Sequence, residues 1–146
     1  MQRITPFLWF DGNAEAAMNF YLSVFETGKV LSVSPMMVSF ELLGQRFHGL
    51  NGGPQYRFTE AVSFLVDCET QEEVDTLWHQ LSAGGGQPGQ CGWLKDKFGV
   101  SWQIIPTALG RLMGDPDRAR AGRVMQAMLT MGKIDIAALQ RASDQE

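Results

Sequence analysis

Two stretches of ten residues decide the fold of this chain: ITPFLWFDGN at residues 4–13 and AVSFLVDCET at residues 61–70, which follow the first by 57 positions. Each begins with a short apolar run, typical of a buried strand, and ends in polar residues that break it. Asn13 and Thr70 close the two stretches, and both residue types favour the cap position before a helix. The pattern predicts a strand followed by a helix in each half of the chain.

The residues after each cap continue this correspondence. Residues 14–25 place apolar side chains at the i, i+3, i+4 and i+7 positions of a helix, and the residues after Thr70 do the same. Glu73, three residues after Thr70, completes a capping box. The two apolar stripes superpose at the same shift of 57: Ala17, Phe20, Tyr21 and Val24 on Val74, Leu77, Trp78 and Leu81. Caps, strands and stripes that agree together indicate an internal duplication.

Further strand-like segments follow each predicted helix. In the first half they are residues 29–34, 36–43 and 46–50, and in the second half residues 92–96 and 100–105. Pro35 marks the first turn of the first half and Gly44-Gln45 a tight second turn, and residues 82–90 form a Gly-rich loop. The chain is therefore predicted to have an α+β fold of two tandem β-α-β-β-β modules, at about 3–51 and 61–106.

A C-terminal helical tail is predicted over residues 107–146. Asp115 caps a helix in this interpretation, with Pro116 at its first position and the helix body at residues 118–131. Gly132 ends that helix, and Asp135 begins a last short helix over residues 136–142. Methionines are frequent here, and because Met fills irregular gaps, their face is expected to pack against the rest of the protein.

Composition excludes several classes of partner. Twelve Lys and Arg against sixteen Asp and Glu give a net charge of −4, which disfavours nucleic acid because phosphate binding needs a basic face. There is no run of about 18 apolar residues, so no membrane span is expected. Neither a secretory signal nor a CxxC motif occurs, which predicts a cytoplasmic protein with Cys68 and Cys91 as reduced thiols.

Motifs that hold common cofactors are absent from the sequence. Residues 84–86 are three glycines, but they follow a helix and lack the Gly-Lys-Ser/Thr ending of a phosphate-binding loop. No Gly-x-Gly-x-x-Gly follows a strand, and no Gly-x-Ser-x-Gly elbow occurs. The sequence therefore predicts no cofactor, and it indicates neither a dinucleotide site nor a Rossmann-type site for a methyl donor.

The paired modules resemble the vicinal oxygen chelate superfamily of glyoxalases, bleomycin resistance proteins and extradiol dioxygenases, and within it the PhnB-like branch. That branch often bears the name 3-demethylubiquinone-9 3-methyltransferase. The stretches that carry the resemblance are Thr5-Pro6, Trp9–Glu15, Phe20-Tyr21, Leu50–Pro54, Cys91–Asp96, Gly99–Gln103 and Met125–Met128. The resemblance implies a single glyoxalase-like domain in which both modules enclose one cavity.

The same resemblance implies where metal ligands would stand. They belong on the first and last strands of each module, at Pro6, His48, Ser63 and Gln103. Proline has no ligating side chain, and Ser and Gln are poor ligands for divalent transition metals, which prefer His, Cys and carboxylates. No metal is therefore predicted. The cavity floor is expected to bring His48 near Gln103, with Leu8, Ser63 and Leu65 beside them.

Other polar side chains have two interpretations each. His48 is either a base in the cavity, with Ser63 or Gln103 as its partner, or an ordinary strand residue. Asn51 either lines the cavity mouth or serves its turn. Trp93 and Lys95 share one strand face, which either offers a stacking wall and a cation to an anionic ligand or faces solvent. His79 is expected to be exposed on its helix.

Four functional hypotheses remain open from sequence. The leading one is a small-molecule binding protein whose cavity holds no metal, with His48, Asn51, Ser63, Trp93, Lys95 and Gln103 as its candidate lining. The others are a glyoxalase-like lyase or isomerase, the methyltransferase that the branch is named for, and an interaction protein whose cavity is filled by its own aromatic residues. A homodimer is also predicted, because modules of this size leave sheet edges that need cover.

Overall fold

The computed structural model describes residues 1–145, which form two compact units, Met1–Phe58 and the residues from Thr59 onward. The first unit contains β1 (Phe7–Phe10), α1 (Ala14–Val24), β2 (Lys29–Val33), β3 (Met37–Leu42) and β4 (Gln45–Asn51). The second contains β5 (Phe64–Cys68), α2 (Gln71–Ser82), β6 (Gln87–Pro88), β7 (Trp93–Lys95), β8 (Ser101–Pro106), α3 (Thr107–Met113), α4 (Arg118–Leu129) and α5 (Ile136–Asp144).

The two units repeat one topology, which confirms the predicted α+β fold of tandem modules. Each has a four-stranded sheet, in the order β1-β4-β3-β2 in the first and β5-β8-β7-β6 in the second. In each sheet the first and last strands of the module pair in parallel and the other neighbours are antiparallel. The starts of β1 and β5, and of α1 and α2, are related by the shift of 57 residues.

Aromatic rings fill the space between α1 and the first sheet. Phe47 of β4 stacks on Phe40 of β3 at 5.5 Å between ring centroids, and Phe40 stacks on Tyr21 of α1 at 6.2 Å. Side chains alternate along a strand, so His48 lies on the opposite face from Phe47. This face, which points away from α1, is called the first open face below.

The cap of α1 differs from the sequence prediction. Asn13 makes no side-chain hydrogen bond at the start of the helix. Instead, Asn51 at the end of β4 accepts the backbone N–H of Ala14 at 2.9 Å through Oδ1. Its Nδ2 donates to the carbonyl of Pro35 at 3.0 Å. The cap therefore comes from a distant strand end.

In the second unit the predicted cap of α2 is confirmed. Thr70 Oγ1 accepts the backbone N–H of Glu73 at 3.1 Å.

Trp102 of β8 is only 3% exposed, and its Nε1 donates to the Asp96 carboxylate at 2.9 Å. Ile104 is buried on the same face, which confirms the predicted alternation along β8. The face that carries Gln103 points away from α2 and is called the second open face.

Asp96 is a buried acid with several donors. Its Oδ1 accepts the backbone N–H groups of Phe98 and Val100 at 2.8 and 3.1 Å, in addition to the indole bond from Trp102. Buried carboxylates need such partners, because removal from water is otherwise unfavourable. Asp96 thus holds the turn between β7 and β8, and with it the register of both strands.

The structure after α2 departs from the prediction in three places, one before the C-terminal tail and two within it. The loop at 82–90 contains the short strand β6, and α3 of the tail was not predicted. The predicted Asp115 cap of α4 is wrong: Asp117 is the cap and accepts from Ala119 and Arg120, and Asp115, two residues earlier, accepts the N–H of Asp117. The predicted Asp135 cap of α5 is confirmed by its bond from Ala138 at 3.1 Å.

The three tail helices build a second core within this unit. Buried aliphatic side chains form it, and methionines pack around them as predicted. Its buried members are Leu109, Leu112, Val124, Ile134 and Leu139. Gln71 of α2 ties the tail in place, since its side chain donates to the carbonyl of Ile134 and accepts the N–H of Ile136. No helix among residues 1–145 has both the length and the apolar character of a membrane span.

Candidate functional site

His48 has a partner that the sequence analysis did not name. Its Nδ1 lies 2.7 Å from Ser39 Oγ, the residue directly opposite on β3. The ring of Phe7, which pairs with His48 across β1 and β4, is 5.3 Å away. The turn lies at Leu43-Gly44, one residue before the predicted Gly44-Gln45, and this shift sets Leu42 opposite Gln45 and Ser39 opposite His48.

Leu8 does not lie on the first open face, so its predicted place beside His48 is wrong. It is 8% exposed and pairs with Gly49, which faces Phe10 and α1. Leu65, its counterpart at the shift of 57, is 52% exposed and pairs with Gln103. Successive residues of a strand lie on opposite faces of the sheet. The 57-residue shift matches the starts of β1 and β5, but the residues that it pairs lie on opposite faces.

The second open face brings together four predicted site residues. Gln103 Nε2 donates to Ser63 Oγ at 2.9 Å, and Trp93 lies directly opposite Gln103 across β7 and β8. Lys95, two residues after Trp93, lies on the same face, while Leu94 between them is buried. His48 and Asn51 belong to the first unit. The proximity of His48 to Gln103 stays a prediction.

A cavity of about 250 Å³ opens at Trp93 and Lys95. Trp93, Lys95 and Ser101 line it from the sheet, and Glu60 lines it from the loop before β5. Lys95 Nζ forms an ion pair with the Glu60 carboxylate. The hydrogen bond from Lys95 lowers the pKa of Glu60 below its usual value. Sequence reasoning missed Glu60, because no local pattern connects a loop residue to a strand 35 positions later.

The Ser101 hydroxyl is the unusual atom of this cavity. Ser101 is 2% exposed, and its Oγ has no hydrogen-bond partner within residues 1–145. Nearly all buried side-chain polar atoms in proteins have a partner. Lys95 is directly opposite Ser101 in the register of β7 and β8. A hydroxyl donor and a cation therefore occupy paired strand positions in the lining of the cavity.

The four positions that the resemblance assigns to metal ligands do not suit a divalent transition metal. Pro6 offers only its carbonyl, which accepts the backbone N–H of His48 at 2.9 Å. Ser63 and Gln103 bond to each other, and such metals prefer His, Cys and carboxylate ligands. No cluster of three or more His, Cys, Asp or Glu side chains suited to a metal ion is present in the described part of the chain. The residues at these four positions therefore do not fit a divalent transition metal.

Cys68 offers no reactive thiol. It is fully buried, and burial, followed by the negative charges of Glu73 and Asp67, raises its pKa to about 11. A thiol needs to ionise before it acts as a nucleophile. His79 is exposed on α2, as predicted. Neither residue adds to the two open faces.

The paired modules and the open faces of their sheets define a glyoxalase-like protein of the vicinal oxygen chelate superfamily. The chain belongs to the 3-demethylubiquinone-9 3-methyltransferase family, whose model matches residues 2–105. This match ends before α3, so the tail and the predicted Met125–Met128 similarity lie outside it.

One similar solved structure carries the family's description, and two more distant ones share the fold. The PhnB protein from Bacillus cereus, described as a 3-demethylubiquinone-9 3-methyltransferase, is 38% identical with a TM-score of 0.65, covering 73% of this chain and 100% of its own. Protein PA1353 from Pseudomonas aeruginosa is 19% identical with a TM-score of 0.62, covering 73% and 98%. A glyoxalase/bleomycin resistance protein from Albidiferax ferrireducens, 13% identical with a TM-score of 0.54 and covering 71% and 97%, shares the fold. The comparison with curated proteins gave no match.

Proposed function

We propose that this protein binds a small polar or anionic molecule with a flat apolar part on its second open face, and that it binds this molecule without a metal ion. One observation carries the proposal: Trp93 and Lys95 line a cavity of about 250 Å³, and Gln103 lies directly opposite Trp93 on the same face. Ligand sites typically combine an apolar wall with a few placed polar groups. An indole, an ammonium and an amide supply both.

The polar groups of this face have bonding capacity left for a ligand. Gln103 donates an amide N–H to Ser63, and its Oε1 accepts no hydrogen bond from residues 1–145. The indole N–H of Trp93 likewise donates to no group in the described residues. A molecule on this face would therefore meet one donor and one acceptor, carried by the paired strands β7 and β8, next to the Lys95 ammonium in its ion pair with Glu60.

Native mass spectrometry of freshly purified protein tests the proposal. We expect a small molecule bound to the wild type, and its loss in Trp93→Ala and Gln103→Ala. Gln80→Ala, an exposed amide on α2, is the matched control and keeps the ligand. The same samples go to elemental analysis. A co-purifying molecule retained in both variants would overturn the assignment of this face, and about one Zn, Ni, Mn or Fe per chain would overturn its metal independence.

The family's description names a methyl transfer, and this activity is a distinct alternative. Nucleotide-type cofactors typically bind at Gly-rich turns of doubly wound parallel sheets. Each sheet here has a single parallel strand pair. We therefore expect no S-adenosylmethionine binding in titration calorimetry. Saturable binding at micromolar concentration would favour the methyltransferase instead.

The pairing of His48 with Ser39 favours a second candidate function, a lyase or isomerase that uses His48 as an acid–base group. Ser39 holds one ring nitrogen, while Nε2 makes no hydrogen bond within residues 1–145. A base of this kind acts through one positioned nitrogen. The test is solvent-deuterium exchange beside the carbonyl in small hydroxyketones, followed by NMR. Exchange lost in His48→Gln and kept in His79→Gln would support the enzyme; no exchange in the wild type would exclude it for these substrates.

A further inference from the structure

We propose that the Glu60 carboxylate occupies a binding position for a ligand carboxylate, and that an aromatic carboxylate displaces it from Lys95 and bonds to Ser101. This inference rests on the proposed function, because it names the ligand class and the contacts of the same cavity. It goes further in assigning Glu60 as an internal competitor. Four observations on the cavity lead to it.

Ser101 is the first observation. Its hydroxyl is buried at the cavity wall without a partner in the described residues, although such groups are almost always bonded. A hydroxyl donates one hydrogen and accepts others, so an acceptor oxygen on a ligand would satisfy it. Lys95 is directly opposite on β7, and side chains of directly opposed residues come within about 4.5–5.5 Å at Cβ. The two oxygens of one carboxylate would therefore reach both groups.

The Lys95–Glu60 ion pair is the second observation. It stands at the rim, where the Glu60 side chain is 60% exposed. Exposed ion pairs contribute little stability, so an incoming anion exchanges with such a partner easily. Glu60 also lies in the loop before β5 and in no strand, so its side chain leaves Lys95 without breaking the sheet.

Charge is the third observation. Among the described residues that line the cavity, Lys95 is the one cation and Glu60 the one anion. Once Glu60 moves away, the cavity presents a single positive charge and a hydroxyl donor. A singly charged carboxylate balances this charge, whereas a phosphate dianion leaves an uncompensated negative charge.

The position of Trp93 is the fourth observation, and it favours a ligand with a flat apolar ring. It lies on the same face as Lys95, two residues earlier, and it lines the same cavity. Indole faces stack on flat apolar rings. Since the ring contact and the charged contact are adjacent, the carboxylate and the ring belong to one small molecule, as in benzoate.

Titration of ¹⁵N-labelled protein with benzoate, followed by NMR, tests the proposal. We expect Lys95→Met and Ser101→Ala each to weaken benzoate binding by about tenfold or more, the usual effect of losing a hydrogen bond to a charged group. Glu60→Gln removes the competitor and is expected to tighten binding severalfold. Lys29→Met and Glu41→Gln, which break a surface ion pair of the first unit, are matched controls and leave binding unchanged.

The opposite effects of Glu60→Gln and Lys95→Met carry the test. If the ion pair only supported the fold, both changes would weaken binding together, and that result would overturn the displacement. Benzamide, the neutral counterpart, is expected to bind at least about tenfold more weakly than benzoate. If benzamide binds equally well and shifts the Trp93 indole signal, the carboxylate site is wrong and the proposed function stands. If neither compound shifts that signal while a co-purifying ligand depends on Trp93, the carboxylate assignment alone fails.

Ser101→Ala is expected to keep the stability of the folded protein. The hydroxyl that it removes has no partner within residues 1–145, and a buried unpartnered polar group destabilises a protein. We expect the melting temperature of this variant to equal or exceed that of the wild type. Weakened benzoate binding at unchanged stability would then report a lost ligand contact and exclude a folding defect.

Discussion

Trp102 and Gln103 are neighbours in sequence whose side chains meet opposite environments. Trp102 is buried under α2 and bonds to Asp96, whereas Gln103 is half-buried on the second open face. We expect Trp102→Ala to lower the free energy of unfolding by about 3–5 kcal/mol, as large aromatic truncations in a core do. Gln103→Ala should lower it by less than about 1.5 kcal/mol, the net contribution of one ordinary hydrogen bond. Urea unfolding of both variants measures the difference, and equal losses would contradict the assignment of the two faces.

The buried thiol of Cys68 predicts a dependence of stability on alkaline pH. Burial raises its pKa from 9.0 to about 11, so between these values the unfolded thiol ionises while the folded one stays protonated. The unfolded state then binds fewer protons, and stability falls as the pH rises from 9 to 11. We expect Cys68→Ala to lose less stability over this interval than the wild type. Unfolding curves at pH 9, 10 and 11 test this, and parallel losses in both proteins would contradict it.

At the scale of elements, Asn51 joins the end of β4 to the start of α1. Its side chain accepts from Ala14 and donates to the carbonyl of Pro35. Loss of a side-chain cap typically costs about 0.5–2 kcal/mol. We expect Asn51→Ala to destabilise the protein by about 1–2 kcal/mol, because a second bond is also lost. Asn13→Ala, at the position that makes no cap bond, should have a smaller effect, and thermal unfolding of the pair distinguishes them.

Sheet elements also bring the candidate site together. The register of β7 on β8 places Trp93 opposite Gln103 and Lys95 opposite Ser101. Asp96 holds the turn that sets this register through three hydrogen bonds. The open face and the core therefore depend on one another, because a slip of one residue would exchange them.

At the scale of the whole molecule, β2 is an edge strand of the first sheet, and the predicted homodimer would cover an edge of this kind. All five of its residues are exposed, including Val30, Leu31 and Val33. Apolar edge strands of this kind promote pairing with another chain. We expect light scattering at tens of micromolar to give a mass of twice 16.2 kDa. Leu31→Lys should shift it toward the monomer, while Val62→Lys, an exposed loop position, should not. A wild-type mass near 16.2 kDa would contradict the prediction.

Much of the fold was determined by sequence alone, because the rules that govern it act over a few residues. Caps such as Thr70 and Asp135, the stripes of α1 and α2, and the alternation at Trp102 and Gln103 depend on neighbours within a turn or a strand. The duplication made these local signals recognisable in both modules. The hairpin before β4 was predicted, but its turn lies one residue earlier than the predicted Gly44-Gln45, so the His48–Ser39 pairing did not follow from sequence.

Tertiary structure decided the contacts whose partners lie far apart in the chain. Asn51 caps a helix 37 residues away, and Gln103 donates to Ser63 across 40 residues. Glu60 meets Lys95 from a loop without any pattern of its own. The face of Leu8 was also decided here, because a strand alternates every residue and a matching start does not specify which face is buried. Such contacts depend on how the strands pair. Strand pairing depends on the packing of the whole module, and local propensity does not specify it.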